Sequence, residues 1–146
     1  MELQESYTFE APVSTVWNAL TDAEKVAQCL PGCEKFEPLG EDRYRATLSV
    51  GIGAIRGRYQ GTVAITEKQM NNSYKIVVDG RGSPGSVKGE ASVSLHQDGE
   101  KTLVGVTAEV QISGTIARVG QRLMGRASKM LMDSFFDCMR KTVEEA

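Results

Sequence analysis

The sequence has 146 residues, of which 40% are hydrophobic and 25% charged, a composition typical of one soluble globular domain. Its formal net charge of -2 at pH 7 argues against a general nucleic-acid-binding protein. No apolar run approaches the roughly 20 residues of a membrane-spanning helix, and the acidic N-terminus lacks the basic and apolar regions of a signal peptide. We therefore predict a single-domain cytoplasmic protein covering residues 1–146.

The first part of the chain predicts one strand followed by two short helices. Residues 2–10 alternate loosely between polar and apolar side chains, as in an opening strand. Pro12 suits the first turn of a helix, and apolar residues follow it at helical spacing. Thr21 or Asp22 can cap a second helix, which should end before Pro31.

From Glu34 onward the apolar period changes from 3.6 to 2, and turn residues separate the successive runs. The predicted strands span residues 34–39, 43–50, 54–67, 74–82 and 87–95, and a sixth contains 104–112. Consecutive hairpins with one apolar face predict an antiparallel meander rather than βαβ units.

The last stretch, from Thr115 to about Val143, returns to helical periodicity and carries a long apolar stripe. One curved sheet wrapped around one long helix would bury the apolar face of each. We therefore predict an α+β fold, with a seven-stranded antiparallel sheet around a long C-terminal helix and two short helices after the first strand.

Five glycines fall on the face of the predicted sheet that should point toward the helix. A glycine contributes no side chain, so these positions predict an apolar cavity suited to a hydrophobic ligand. Bulges and bends of a curved sheet would explain the same glycines. The glycines are Gly57, Gly61, Gly80, Gly82 and Gly89. The predicted lining of the cavity is Leu48, Ile55, Gly57, Tyr59, Gly61, Ile76, Val78, Gly80, Val87, Gly89, Ala91, Val119, Leu123, Met124, Ala127, Met130 and Leu131.

Groups able to perform catalysis are scarce. The inward positions of the predicted sheet hold no carboxylate, lysine or histidine, so they offer no paired acid and base. His96 is the only histidine, and we interpret it as a solvated turn residue. We therefore predict no catalytic residue, no metal site and no covalently bound cofactor.

Three cysteines, Cys29, Cys33 and Cys138, are an odd number and too few for a disulfide framework. Cys29 and Cys33 are four residues apart, which is not the CxxC spacing of redox or zinc sites. We interpret all three as reduced thiols of a cytoplasmic protein.

A basic stripe recurs at i, i+4, i+8 and i+11 on the first half of the predicted long helix. Cations near a helix N-terminus oppose the helix dipole, so helix stability does not explain them. They are candidates for docking on an anionic lipid or an acidic protein, and an ordinary solvated helix face is the alternative. The stripe consists of Arg118, Arg122, Arg126 and Lys129.

The order of elements and several local motifs together resemble the CoxG family of carbon monoxide dehydrogenase subunits, which belongs to the START/Bet v 1-like (SRPBCC) helix-grip superfamily. The resemblance covers essentially the whole chain. The motifs that carry it are Ala11-Pro12-Val13 through Trp17, Leu30-Pro31-Gly32-Cys33, Gly51-Ile52-Gly53 through Gly57, Gly80-Arg81-Gly82-Ser83-Pro84-Gly85, and Val119 to Leu123 with Phe135-Phe136.

The resemblance implies a non-catalytic carrier of a hydrophobic small molecule, a quinone or similar lipid, held between sheet and helix. It also implies an accessory role to a molybdenum hydroxylase of the carbon monoxide dehydrogenase type. An assembly or membrane-recruitment factor for that enzyme is the alternative. This sequence ends without the C-terminal tail of some family members, so we expect at most a transient contact with the inner membrane face. Enzymes on related folds suggest a third interpretation, in which Tyr44, Tyr59 or Tyr74 would be the polar catalytic group.

Overall fold

The computed structural model describes residues 1–145 and, within them, every side chain except that of Ala54. The strands are β1 (Glu2–Phe9), β2 (Cys33–Gly40), β3 (Arg43–Val50), β4 (Gly57–Gln69), β5 (Ser73–Gly82), β6 (Gly85–Asp98) and β7 (Lys101–Ser113). The helices are α1 (Val13–Leu20), α2 (Ala23–Cys29) and α3 (Gln121–Glu144), and two 3₁₀ turns span Gly53–Ile55 and Thr115–Val119.

All seven strands form one antiparallel sheet in the order β1-β7-β6-β5-β4-β3-β2. The predicted fold class, the meander and the two short helices after β1 are confirmed. Strand β1 pairs with β7, the last strand of the meander. It therefore forms the edge of the sheet opposite β2.

The short helices have simple local causes. Asp22 is the cap of α2, since its carboxylate accepts hydrogen bonds from the backbone N–H groups of Glu24 and Lys25 at 3.0 and 3.3 Å. Thr21, the other predicted cap, instead donates its hydroxyl hydrogen to the Trp17 carbonyl oxygen at 2.8 Å.

The long helix begins six residues later than the apolar periodicity predicts. The stretch Thr115–Val119 is a 3₁₀ turn, and the glycines on both sides of it, Gly114 and Gly120, have φ values of 90° and 93°. Such left-handed conformations suit glycine and interrupt an α-helix. The residues on the apolar face of α3 therefore cannot be assigned by continuing the helical period from Thr115.

The main core lies at the end of the molecule where α1, α2 and the second half of α3 pack against β1, β6 and β7. Its most buried side chains include Phe9, Val16, Val104 and Met139, each with no exposed surface. Tyr7 of β1 stacks on Phe136 of α3 with ring centroids 4.1 Å apart. These contacts pack the second half of α3 against β1. The first half of α3 packs in a separate apolar cluster.

A second and smaller apolar cluster lies at the opposite end, and we call it the mouth cluster. Its buried members are Ile55, Ile116, Met124 and Ala127. It joins both 3₁₀ turns to the start of α3, with partly buried residues of β3, β4, β6 and β7 around it. The two clusters leave the middle of the inner sheet face free.

Two of the three cysteines are paired, which corrects the interpretation of all three as reduced thiols. Cys29 at the end of α2 and Cys138 on α3 form a disulfide with their Cα atoms 5.3 Å apart, and Cys33 is a free thiol. The paired residues are 109 positions apart in sequence, so their spacing gave no sign of the contact. The pairing follows from the packing of α2 against α3.

Candidate functional site

A cavity of about 230 Å³ lies between the inner face of the sheet and the first half of α3. Strands β3 to β7 form one wall, and three residues one turn apart on α3 form the other. The lining residues are Ala46, Leu48, Val50, Ile55, Tyr59, Gln60, Gly61, Thr62, Val63, Val78, Gly80, Val87, Val110, Ile112, Met124, Ser128 and Leu131.

The wall of this cavity is mostly apolar, with Gln60, Thr62 and Ser128 among its polar members, and it holds no charged side chain among the described residues. Its one phenol, Tyr59, donates a hydrogen bond to the Ile55 carbonyl oxygen at 2.7 Å, which links β4 to the first 3₁₀ turn. Burial raises the pKa of Tyr59, so its hydroxyl stays neutral at physiological pH. A charged ligand would lose its hydration without gaining a partner here, and the cavity therefore suits an uncharged molecule.

Nine of the seventeen residues predicted to line a cavity do line it. The strands and the first turn supply seven of them, and α3 supplies the other two. They are Leu48, Ile55, Tyr59, Gly61, Val78, Gly80, Val87, Met124 and Leu131.

Two predicted lining residues on α3 point to solvent instead. Leu123 is 52% exposed and Met130 is 57% exposed. Their assignment followed the apolar stripe from Thr115, but the glycine break at Gly120 changes the helical phase. The face of α3 that points toward the sheet therefore contains Met124 and the residues one and two turns after it.

The other six predicted residues lie outside the cavity wall for different reasons. Val119 and Ala127 belong to the mouth cluster, and Ile76 packs against the main core. Of the remaining three, Gly57 lies against Pro84, Gly89 lies against Val110, and Ala91 lies between Ile76 and Ala108 in the sheet.

Eight lining residues were absent from the predicted set: Ala46, Val50, Gln60, Thr62, Val63, Val110, Ile112 and Ser128. Five of them are apolar and lie on the alternating inner positions of β3, β4 and β7, so the period-two pattern could have found them. Ser128 is polar, and a pattern of apolar residues does not mark a serine on the inner side of a helix.

The inward glycines have two distinct roles. A Cβ atom on Gly80 would meet nothing closer than the Gln60 carbonyl oxygen at 3.9 Å, so this glycine does leave space. A Cβ on Gly61 would overlap the backbone of β5 at Asp79, and one on Gly82 would lie 2.8 Å from the Tyr59 ring. These two glycines permit close approach of neighbouring chain segments, as the alternative interpretation held.

The basic stripe is not one helix face. Arg118 lies in the second 3₁₀ turn, whereas Arg122, Arg126 and Lys129 lie on α3. Lys129 is part of a local ion-pair group, with its Nζ atom 3.0 Å from Asp133 Oδ2 and 3.6 Å from Glu5 Oε2. The hydrogen bond to Asp133 raises the pKa of Lys129. Its cationic group is therefore already paired within the fold.

The tyrosines considered for catalysis are separated. Tyr44 stacks on Phe36 with centroids 4.7 Å apart, and Tyr74 is buried edge-on against Trp17 at 5.6 Å. Tyr59 lines the cavity.

Over residues 1–145 the structure contains no cluster of three or more side chains suited to hold a metal ion, and no helix there has the length and apolar character to span a bilayer.

Comparison with known proteins identifies the family. The profile of CoxG, a carbon monoxide dehydrogenase subunit, matches residues 6–144. A conserved protein from Geobacillus kaustophilus is similar over 99% of this chain and 96% of its own, with 32% identity and a TM-score of 0.97. A START superfamily protein from Mycobacterium smegmatis has 15% identity over 99% and 97% of the two chains, with a TM-score of 0.77.

An aromatase/cyclase from a Streptomyces species has 14% identity and a TM-score of 0.70 over 99% of this chain and 93% of its own. At such identities these likenesses show the fold alone. Curated protein sequences gave no significant match. The profile match over nearly the whole chain, with the sheet gripping α3 around an apolar cavity, shows that this protein belongs to the CoxG family and has the START/Bet v 1-like fold.

Proposed function

We propose that this protein is a non-catalytic carrier that holds an uncharged hydrophobic molecule between its sheet and α3. The observation that supports the proposal is the uncharged, apolar wall of the 230 Å³ cavity. Burial of apolar surface gains about 25 cal/mol per Å², so such a wall favours an apolar occupant over water.

The cargo we propose is a quinone or a similar lipid. A quinone ring carries no charge, and its carbonyl oxygens could accept a hydrogen bond from the hydroxyl of Ser128, a residue that lines the cavity. A volume of about 230 Å³ is smaller than typical pockets for drug-sized ligands. A ring would fit in it, and a long isoprenoid tail would extend beyond it.

The partner we propose is a molybdenum hydroxylase of the carbon monoxide dehydrogenase type, in line with the name of the family. Such an enzyme releases electrons, and a quinone accepts them. A carrier of this kind would work in the cytoplasm and visit the inner face of the membrane transiently to exchange its cargo.

Assembly or membrane recruitment of the same enzyme is the alternative function. It is favoured by the exposed cations Arg118, Arg122 and Arg126, none of which forms an ion pair with a carboxylate in the described part of the chain. Such a factor would need these cations and would not need the cavity.

Mass spectrometry of an organic extract from gently purified protein tests the carrier proposal. Native mass spectrometry of the same sample gives the stoichiometry. One quinone or long-chain lipid per chain is expected, and the extract identifies it. A protein that is empty after purification, and still empty after incubation with membranes, would contradict the carrier function and favour recruitment.

A further inference from the structure

Three separate segments meet at the end of the molecule that holds the mouth cluster. They are residues 50–58, 80–89 and 111–127. Strand register brings Val50 opposite Gly57, and Ser86 opposite Ser113. The Ile116 backbone N–H then donates to the Pro84 carbonyl oxygen at 2.9 Å, which joins the second segment to the third.

Positive charge is concentrated in these segments. They hold seven of the 17 lysines and arginines and none of the 19 acids, so the rest of the chain has ten bases against 19 acids, a formal charge of -9. We call the seven residues the cationic end. They are Arg56, Arg58, Arg81, Lys88, Arg118, Arg122 and Arg126.

All seven side chains are exposed, and most have no partner. Arg58 is bound by Glu34, with Nε 2.7 Å from Oε1. The other six form no ion pair with a carboxylate of residues 1–145. Arg122 also lies in the first turn of α3, where a cation opposes the helix dipole. Helix stability therefore does not explain the position of Arg122.

Exposed apolar side chains accompany the cations. Leu123 and Met130, 52% and 57% exposed, lie on the solvent face of α3 with Arg126 between them in sequence. Large apolar residues beside Arg and Lys are the composition of protein surfaces that rest in the headgroup region of a bilayer.

The cationic end also adjoins the cavity. Ile55 and Met124 belong to the mouth cluster and line the cavity as well. A partner surface bound at this end would therefore lie close to the space where a ligand would sit.

We propose that the cationic end is a docking surface for an anionic phospholipid bilayer, with Leu123 and Met130 inserted among the headgroups. The orientation places the mouth cluster against the membrane. The purpose of this docking, transfer of apolar cargo, rests on the carrier function proposed above, whereas the binding itself does not.

Cosedimentation with phosphatidylcholine vesicles, with and without phosphatidylglycerol, tests the proposal. Binding is expected only with the anionic lipid and should fall as salt is raised. The variant Arg118→Glu with Arg122→Glu should bind about 25-fold more weakly or worse, since each cation near an anionic surface contributes about fivefold. Lys25→Glu with Lys141→Glu is the control, because it changes the net charge equally at exposed positions away from the cationic end.

Equal weakening by both variants, or absence of binding to anionic vesicles, would overturn the proposal. Leu123→Ser with Met130→Ser should weaken binding without changing its dependence on salt. Cargo content of every variant is measured by mass spectrometry. Vesicle binding by a protein that never holds cargo would refute the carrier function and leave the docking surface intact.

Discussion

Gly61 and Gly80 face each other across β4 and β5, and both border the cavity, so valine substitutions at the two positions form a matched pair. Neither glycine has a left-handed φ. The space around them differs, because a Cβ on Gly80 meets nothing within 3.9 Å whereas one on Gly61 would lie 2.6 Å from the Gly80 Cα atom. Gly80→Val should fill the cavity, and Gly61→Val should push the two strands apart.

The expected magnitudes follow from this difference. Full burial of a valine side chain gains about 1.5–3 kcal/mol, and replacing a glycine within a strand adds roughly 0.5–1 kcal/mol. Imperfect fit costs about 1–3 kcal/mol. We therefore expect Gly80→Val to raise the free energy of unfolding of the empty protein by about 1 kcal/mol, which is a Tm increase of about 3–4 °C. Gly61→Val should lower it by roughly 2 kcal/mol or more.

The assay combines thermal unfolding with the fluorescence of N-phenylnaphthylamine, a neutral apolar probe. Protein refolded from denaturant is used, so that no cargo stabilises the wild type. Gly80→Val should lose at least about tenfold in probe affinity while its Tm rises, because side-chain atoms occupy the space the probe needs. Wild-type affinity in a well-folded Gly80→Val protein would refute the assignment of this cavity as the binding site.

Three further predictions concern the phase of α3, the disulfide and the response to acid. Met124→Ala should lower the free energy of unfolding by about 2 kcal/mol or more. Leu123→Ala should change it by less than about 0.5 kcal/mol, because Leu123 is exposed. Urea unfolding of both variants checks the helix phase, and equal losses of stability would contradict it. The Cys29–Cys138 disulfide closes a loop of 109 residues, and its reduction should lower the free energy of unfolding by about 2–4 kcal/mol. The Tm with and without reductant measures this loss. A Tm independent of reductant would mean that the bond does not form. Hydrogen bonds from the Tyr7 hydroxyl, at 2.8 Å, and from Lys129 lower the pKa of Asp133 in the folded protein. A carboxyl with a lowered folded pKa stabilises the protein above its unfolded pKa of about 3.9 and loses that contribution as pH falls through the folded value. The Tm of Asp133→Asn should consequently fall less below about pH 4 than that of the wild type, and parallel acid profiles would show that the Asp133 contacts are too exposed to matter.

Some features were determined by the sequence itself. Period-two alternation between turn residues was enough for the six-strand meander, because a strand with one buried face must alternate. The two helices after β1, with a cap at Thr21 or Asp22, follow from local side-chain chemistry in the same way, and the structure selects Asp22. The apolar character of the inner sheet face was also readable, and it led to seven of the nine correctly predicted cavity-lining residues.

Other features arose only when distant segments met. An inward glycine either leaves empty space or lets a neighbouring backbone approach closely, and which of the two occurs depends on the adjacent strand. The sequence alone therefore cannot distinguish Gly80 from Gly61. The phase of α3 depends on backbone dihedrals at Gly120, which moved Leu123 from the predicted cavity wall to solvent. The disulfide and the cationic end join residues far apart in sequence, because packing of α2 on α3, and of hairpin ends on one another, is decided by the tertiary contacts of the whole chain.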